Sequence, residues 1–533
     1  MTDTTDVVVI GSGAAGLAAA LAAAARGESV VVLEASPRWG GSTAVSGGQV
    51  WAPNNHLQDE AGFADSEGEA LAYCRAAAPG RDPELVETFV RSVPAAVRFV
   101  EENSPIRFTV VRGYPDTFAE LPGGKPARHL EAQPLTTDGL GSPDELLWPP
   151  PYGAPVLTND EFFEHRMFAG SAPPFDLTRR RLDAGEVALG AGLVVGLLRG
   201  CRDAGVELVR GCRVRRLIRA DGRITGVEAD RDGNPWRLTA RRVVLATGGF
   251  EHDPDLRSQL LAGPLSHPVT PPVQHGDGLR LAADAGAQLS RTGEYWSWPA
   301  FRAPGRRWPD DAGTPQAQLV MAERYLPHVI WVNAAGRRFV NEASHNCAVA
   351  FAELDANTHR PRNLPAWAIG DAQFRARYPV GGVPPNEPLP DWLPSADSLD
   401  KLAALVGIDA TALQHTVDRF NATADAGRDD DFRRGNTAYE RAFGDATAAH
   451  PNLGTISEPP FFALPVHASA VGTKGGARTD HRARVLDWAG QPIPGLYAAG
   501  NAAAAVFGPG TIAGGITIAS ALTWGWLAGS DAP

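Results

Sequence analysis

The sequence predicts an α/β protein: a parallel sheet flanked by helices, assembled from separated pieces of chain and interrupted by an α+β insertion. Three observations predict it. First, "DVVVI" at 6–10 runs into "GSGAAG", an Ala/Leu segment reaching Arg26, and a second apolar run, "SVVVLE"; that order reads strand, turn, helix, strand. Second, two further apolar runs end in glycines, "ARRVVLATGG" and "GLYAAGN". Third, the texture changes between about 290 and 455, where "GEYWSWPAFRAPGRRWPDD" and "YPVGGVPPNEPLPDWLP" are rich in aromatics and proline. A chain of 533 residues exceeds the size at which one core keeps growing, so two domains are expected.

The first unit has the spacing of a dinucleotide site. Gly11 supplies the tight turn, Gly13 lets backbone approach a pyrophosphate, and Gly16 lets helix meet strand. Ser12, Ala14 and Ala15 complete the turn and open the helix, whose N-terminus favours phosphate charge. Glu34, about 20 residues on, is positioned to accept from ribose hydroxyls, with Ala35 beside it.

The next stretch, "EASPRWGGSTAVSGGQVWAPNN", holds two glycine pairs, Gly40-Gly41 and Gly47-Gly48, among Ser42, Thr43 and Ser46. Backbone and hydroxyl donors of this kind suit a second cofactor half. A nicotinamide enzyme has no use for them, whereas FAD, lying extended, needs that length.

"GVELVRGCRVRRLIRADGRITGVEADRDG" predicts an antiparallel excursion with a tight "ADGR" turn, and Val214 within it is a cofactor candidate. The excursion feeds the strand that ends at Ala246, Thr247, Gly248 and Gly249; a third strand end offers Gly500 and Asn501. Three glycine-rich strand ends aimed at one ligand divide the chain into a first FAD-binding part (1–290), a substrate or cap domain (291–455) and a C-terminal FAD-binding part (456–533). Within the cap, 379–396 reads as an ordered loop, Ser398 to Ala426 as helical, and "AGRRF" as a turn between strands.

Composition narrows the function. A net charge of −12 without a basic stripe argues against nucleic acid. Cys74, Cys201, Cys212 and Cys347 lie far apart with no metal-ligand spacing, which predicts free thiols, no metal and a cytoplasmic setting. The N-terminus lacks a secretory pattern, and stretches such as "GLAAALAAAA" are too short to span a bilayer.

In combination these motifs resemble the flavoproteins related to 3-ketosteroid Δ1-dehydrogenase, within the fumarate reductase and succinate dehydrogenase flavoprotein superfamily. The resemblance runs through "VVVIGSGAAGLAAA", "GGSTAVSGGQVWAPNNH", "AELPGGKPARHLEAQPL", "LATGGFE", "GPLSHPVTPPVQHGDGLRLA", "VNAAGRRFVNEAS", "GTKGGARTD" and "GLYAAGNAAAA". It implies a Rossmann-like FAD-binding domain, a small apolar ketone or steroid-like substrate, and an external electron acceptor. It also implies non-covalent FAD, because no histidine lies between Gly40 and Gly48. In "VFGPGTIAGGITIASALTWGW" (506–526), the resemblance assigns Gly515 an N–H that helps hold the substrate ketone. The helix opening at Ile516 then aims its N-terminus at the flavin, and Gly515, lacking a side chain, leaves room for substrate against the ring.

The catalytic set departs from the family pattern, in which three tyrosines serve the chemistry. Thr511 stands where a tyrosine polarises the carbonyl, Asn346 where one acts as base, and Thr117 and Phe118 where the third is expected. The candidate catalytic positions are therefore His345, Asn346, Thr511, Gly515, Tyr114 and Phe118, with a rebuilt acid/base pair drawn from His345, Tyr114, Tyr295, Tyr325 or His129. His345 is the sharpest candidate, because imidazole titrates near neutral pH. The preferred reading is α,β-dehydrogenation of a cyclic ketone or 3-ketosteroid, or the reverse enone reduction. A flavin-binding homologue with other chemistry, and a soluble fumarate-type enoate reductase using cap arginines such as Arg337 and Arg338, are the alternatives. Tyr497 reads as a core strand residue, Lys474 as orienting a glycine-rich loop, and Trp296 and Trp298 either as pocket lining or as cap packing.

Overall fold

The computed structural model describes residues 3–531 apart from Ala154 and Asp232. Its central parallel sheet runs Glu207–Val209, Val30–Leu33, Asp3–Ile10, Asn234–Leu245, Pro492–Ala498, with Arg484–Leu486 antiparallel at one edge. The central segments 7–10, 30–33 and 243–245 are continuously apolar because both of their faces are covered. Val7, Val9 and Val32 face one core and Val8, Ile10 and Leu33 the other, as in a sheet covered on both sides.

The Ala-rich first helix, Ala14–Ala25, packs against the C-terminal helix, Ile516–Ser530. Gly525 and Gly529 make this approach possible, since a Cβ at either would overlap the Ala15 or Ala19 carbonyl oxygen. Small residues thus seat the N-terminal half of the first helix against the C-terminal half of the last. The antiparallel excursion forms as Cys212–Ala220 and Arg223–Arg231, turning at Asp221 and Gly222, both at positive φ. That turn conformation matches strand twist.

A second sheet is antiparallel throughout: Gln318–Leu319, Tyr295–Phe301, Phe461–Thr473, Ala366–Gly370, Val329–Asn333. Helices Leu399–Val406 and Ala410–Ala424 cover one face, packing on Ile330, Val332 and Ile369. The strand Phe461–Thr473 lies beyond residue 455, yet it sits in the middle of this sheet. The chain returns to the parallel sheet only after Thr473. The turn at "AGRRF" forms at Gly336 (φ 68°), but no strand follows it. Instead Arg338 pairs with Glu342 and Asp429, all nearly buried, and Glu342 accepts from the Trp331 N–H at 2.9 Å.

Candidate active site

A cavity of about 1100 Å³ runs from the C-terminal ends of the parallel strands to the antiparallel sheet. Ligands of open α/β sheets bind at such ends, and the volume exceeds that of an ordinary small-molecule site, suiting a long cofactor together with a second molecule.

At the dinucleotide end, Gly11, at φ 106°, and Gly16 serve chain packing. A Cβ on Gly11 would overlap Ala246 O, and one on Gly16 would overlap Gly11 O. Gly13 differs: a Cβ there meets nothing nearer than Thr43 Oγ1 at 3.5 Å, so the open side faces the cavity. Glu34 accepts from the Ser12 N–H (3.0 Å), the Ser12 hydroxyl (2.6 Å) and the Ser36 N–H (2.8 Å), and burial raises its pKa. Ala14, Ala15, Ala35 and Val214 line the same end.

Further along, the cavity is lined by Gly41, Ser42, Thr43, Ser46 and Gly47, by Ala246, Thr247 and Gly248, and by Gly500 and Asn501. Gly40, Gly48 and Gly249 instead face protein, namely Val194, the Leu189 backbone and Thr473. Thr43 Oγ1 accepts from the Ala14 N–H (3.1 Å), tying the two glycine-rich stretches together. Gln274 donates to Ser42 Oγ (3.2 Å) while its Oε1 is buried without a partner. That orphan acceptor beside Gly248, the Gly13 opening and the helix N-terminus fit an extended FAD.

Near the C-terminal helix the expected residues take unexpected roles. Asn346 receives a hydrogen bond from the Thr511 N–H (2.8 Å) and donates to the Thr511 carbonyl (3.0 Å). The Thr511 hydroxyl donates to Ala513 O (2.9 Å), so its proton is already committed. Lys474 donates to Gly510 O (2.6 Å) and to Pro509 O (2.5 Å), and Arg81 to Gly508 O (2.6 Å). Residues 508–511 are therefore clasped from three sides. Burial lowers the Lys474 pKa to about 7.

Gly515 caps the C-terminal helix at φ 75°. A Cβ there would reach Gln49 O at 2.5 Å, so its glycine answers to chain packing and left-handed backbone, not to room for substrate. Gly514 is where a side chain would meet the site, since its Cβ would overlap Tyr114 Oη. His129 stacks on Tyr114 (3.9 Å between centroids) and is held at about 3 by burial.

Of the other candidates, His345, Tyr114 and Tyr325 line the cavity. Phe118 does not; its N–H donates to Tyr73 Oη (3.3 Å) and its ring packs in the core beneath the parallel sheet. The reason lies next door, where Asp116 is buried and bonded to Trp51, Lys125 N and Arg128, turning the loop inward. Tyr295 also points away, donating to Pro264 O (2.8 Å). Sequence reasoning missed Tyr439, on the short helix Ala438–Phe443. Its Oη lies 2.8 Å from Tyr325 Oη and 2.7 Å from His345 Nδ1, and no motif in "NTAYERAF" signals it.

Fold and cavity together define a flavin-dependent oxidoreductase. The chain belongs to the FAD binding domain family, whose model matches residues 6–518. It is 37% identical to a 3-oxosteroid 1-dehydrogenase of Mycolicibacterium smegmatis (99% of this chain, 96% of that one). It is 38% identical to a 4-oxocyclohexanecarboxylate 2-dehydrogenase of Sinomonas cyclohexanicum (99% and 92%). The crystal structure of 3-ketosteroid Δ1-dehydrogenase from Sterolibacterium denitrificans, in complex with 1,4-androstadiene-3,17-dione, superposes with a TM-score of 0.91 at 34% identity over 99% of both chains. The expected resemblance to this group thus extends over the whole length. Among the described residues no helix is long and apolar enough to cross a membrane, and all four cysteines are buried, with Cys74, Cys201 and Cys347 free.

Proposed function

We propose that the protein dehydrogenates a cyclic ketone across its α,β bond, or runs the reverse enone reduction, with FAD held without a covalent bond. The single observation that carries this reading is the joining of one cavity to two features. These are the cofactor cradle and, next to it, a chamber in which Tyr114 rests on Gly514 and Tyr325, Tyr439 and His345 are hydrogen-bonded together. When bound, FAD supplies the acceptor for the hydride on the carbon β to the ketone.

The chain's own residues do the rest. The N-terminus of Ile516–Ser530 carries partial positive charge and no acidic residue in its first turn, so it stabilises negative charge arriving there. Tyr114 Oη stands beside Gly514 and supplies the phenolic donor that Thr511 lacks, acting with the Gly515 N–H on the ketone oxygen. Phe162, Phe168 and Phe443 wall the chamber and keep water from the reacting carbons.

The enoate-reductase alternative needs convergent arginines. Among the described residues the arginines lining the cavity are Arg213, paired with Asp277 (2.9 Å), and Arg306, which donates to Pro151 O (3.3 Å). Arg338 is spent on Glu342 and Asp429. Relatives named for a 3-oxosteroid and for 4-oxocyclohexanecarboxylate both act on ring ketones, which supports the ketone class. Free thiols at Cys74, Cys201 and Cys347 support a cytoplasmic setting, and re-oxidation calls for an external electron acceptor.

The test is anaerobic titration of the holoenzyme with saturated ring ketones, 3-ketosteroids and succinate, followed by flavin absorbance. Bleaching by a ketone and not by succinate is expected. Bleaching by succinate alone supports the enoate class instead, and no bleaching by any of them leaves a flavin protein of other chemistry.

A further inference from the structure

Arg324 is fully buried. It donates to the Glu342 and Ser344 carbonyls (3.1 and 2.6 Å), and its Nη1 has no partner. Its guanidinium lies 4.5 Å from the centroid of Trp298 and 4.7 Å from that of Tyr325. Among the described residues no carboxylate pairs with it: the nearby Glu342 is taken by Arg338 and Arg434, and Glu440 by Asn341 and the Gly435 N–H. A buried cation without an anion is strongly unfavourable, so a negative charge arriving within the adjacent phenol network offsets that penalty.

Building on the ketone reading above, we propose that Tyr439 takes the proton from the carbon α to the ketone. Tyr325 and His345 position it, and Arg324 is the fixed cation that favours its anionic form. In the step, Tyr439 enters as phenolate, its own proton having been lost to solvent in the cavity that it lines. The α C–H bond breaks, its proton forms the O–H bond of Tyr439, and the electron pair left behind becomes the new C=C bond as the β hydride departs to the cofactor. Substrate loses two electrons and the cofactor gains them.

The groups facing Tyr439 are Tyr325, Tyr114, Arg324 and His345; those facing His345 include Arg324 and His129. Burial holds Tyr439 well above the usual phenol range, Arg324 pulling against it. Burial, with Arg324 and His129, holds His345 well below the usual imidazole range, so it stays neutral and serves as a hydrogen-bond partner of Tyr439 rather than as a base. The phenolate is therefore scarce at neutral pH, and the rate climbs as pH rises. Asn346, at the family base position, is locked on Thr511 and takes no part in proton transfer.

The experiment compares wild type, Tyr439→Phe and Arg324→Gln as holoenzymes with verified FAD content. Two signals are read: the rate of anaerobic flavin bleaching by a saturated ring ketone across pH, and α-hydrogen exchange of that ketone into D2O by dithionite-reduced enzyme, which needs no turnover. Tyr439→Phe is expected to lose about 100-fold or more of both signals. Arg324→Gln is expected to raise the alkaline limb of the rate profile by about one pH unit or more. Bleaching by Tyr439→Phe within about threefold of wild type, or an unmoved limb in Arg324→Gln, overturns the proposal. Wild type that exchanges the α hydrogen through Tyr439 without bleaching overturns the dehydrogenase reading alone. Wild type that does neither overturns both.

Discussion

Asn346 grips Thr511 by two hydrogen bonds, one to its N–H and one to its carbonyl. Two positions 165 residues apart in the chain thereby become a clasp that holds the C-terminal segment. Replacing Asn346 by Ala leaves both Thr511 groups short of a partner and is expected to destabilise the holoenzyme by about 1–3 kcal/mol. Differential scanning fluorimetry with and without added FAD reads the loss. An unchanged melting temperature contradicts the clasp.

Adjacent glycines are expected to fail differently. In Gly515→Ala the side chain meets Gln49 O and a backbone at φ 75°, a strain of about 1–3 kcal/mol, so stability and FAD content should both fall. In Gly514→Ala the new methyl displaces Tyr114, so FAD should remain while ketone-driven bleaching slows by about tenfold or more. Purified FAD-to-protein ratio and stopped-flow rate separate the two outcomes.

Gly13 separates cofactor binding from folding. A Cβ there has ordinary room in the protein (3.5 Å to Thr43 Oγ1) but projects toward the cofactor path. Gly13→Ala should leave apoprotein stability within about 0.5 kcal/mol while weakening FAD at least about tenfold, measured by apoprotein reconstitution followed by fluorescence. Equal affinity contradicts the assignment of the pyrophosphate end.

Glu251 gives a pH signature. It is fully buried, accepts from Thr270 Oγ1 (3.0 Å), has an orphan Oε2, and is pushed to about 7 by burial. Its folded pKa lies above the unfolded value of about 4.3, so the folded state binds more protons between these values. The stability this provides is complete below about pH 4.3 and is lost as pH rises through 7. Wild type should therefore lose more melting temperature between pH 5 and pH 8 than Glu251→Gln. Parallel profiles contradict the raised pKa.

The glycine-rich end of the cavity was legible in the sequence because its constraints are local. Gly11, Gly13 and Gly16 act within one turn of backbone, and Glu34 ends the next strand, bonded to Ser12. Continuous Val runs announced a sheet covered on both faces. What stayed hidden was non-local. Tyr439 reaches His345 across 94 residues, and Phe118 is turned inward by the buried Asp116–Arg128 pair. Likewise the strand Phe461–Thr473 belongs to the second sheet because of pairing with Ala366–Gly370, which no spacing in its own sequence encodes.

The most direct measurement is a single anaerobic turnover: oxidised holoenzyme mixed with an equimolar saturated ring ketone, quenched, and the ketone weighed by mass spectrometry as flavin absorbance is followed. Loss of two hydrogens from the ketone, one molecule for each flavin reduced, is the expected result. A ketone recovered unchanged while the flavin stays oxidised, across steroid and monocyclic substrates alike, contradicts ketone desaturation as the reaction of this site.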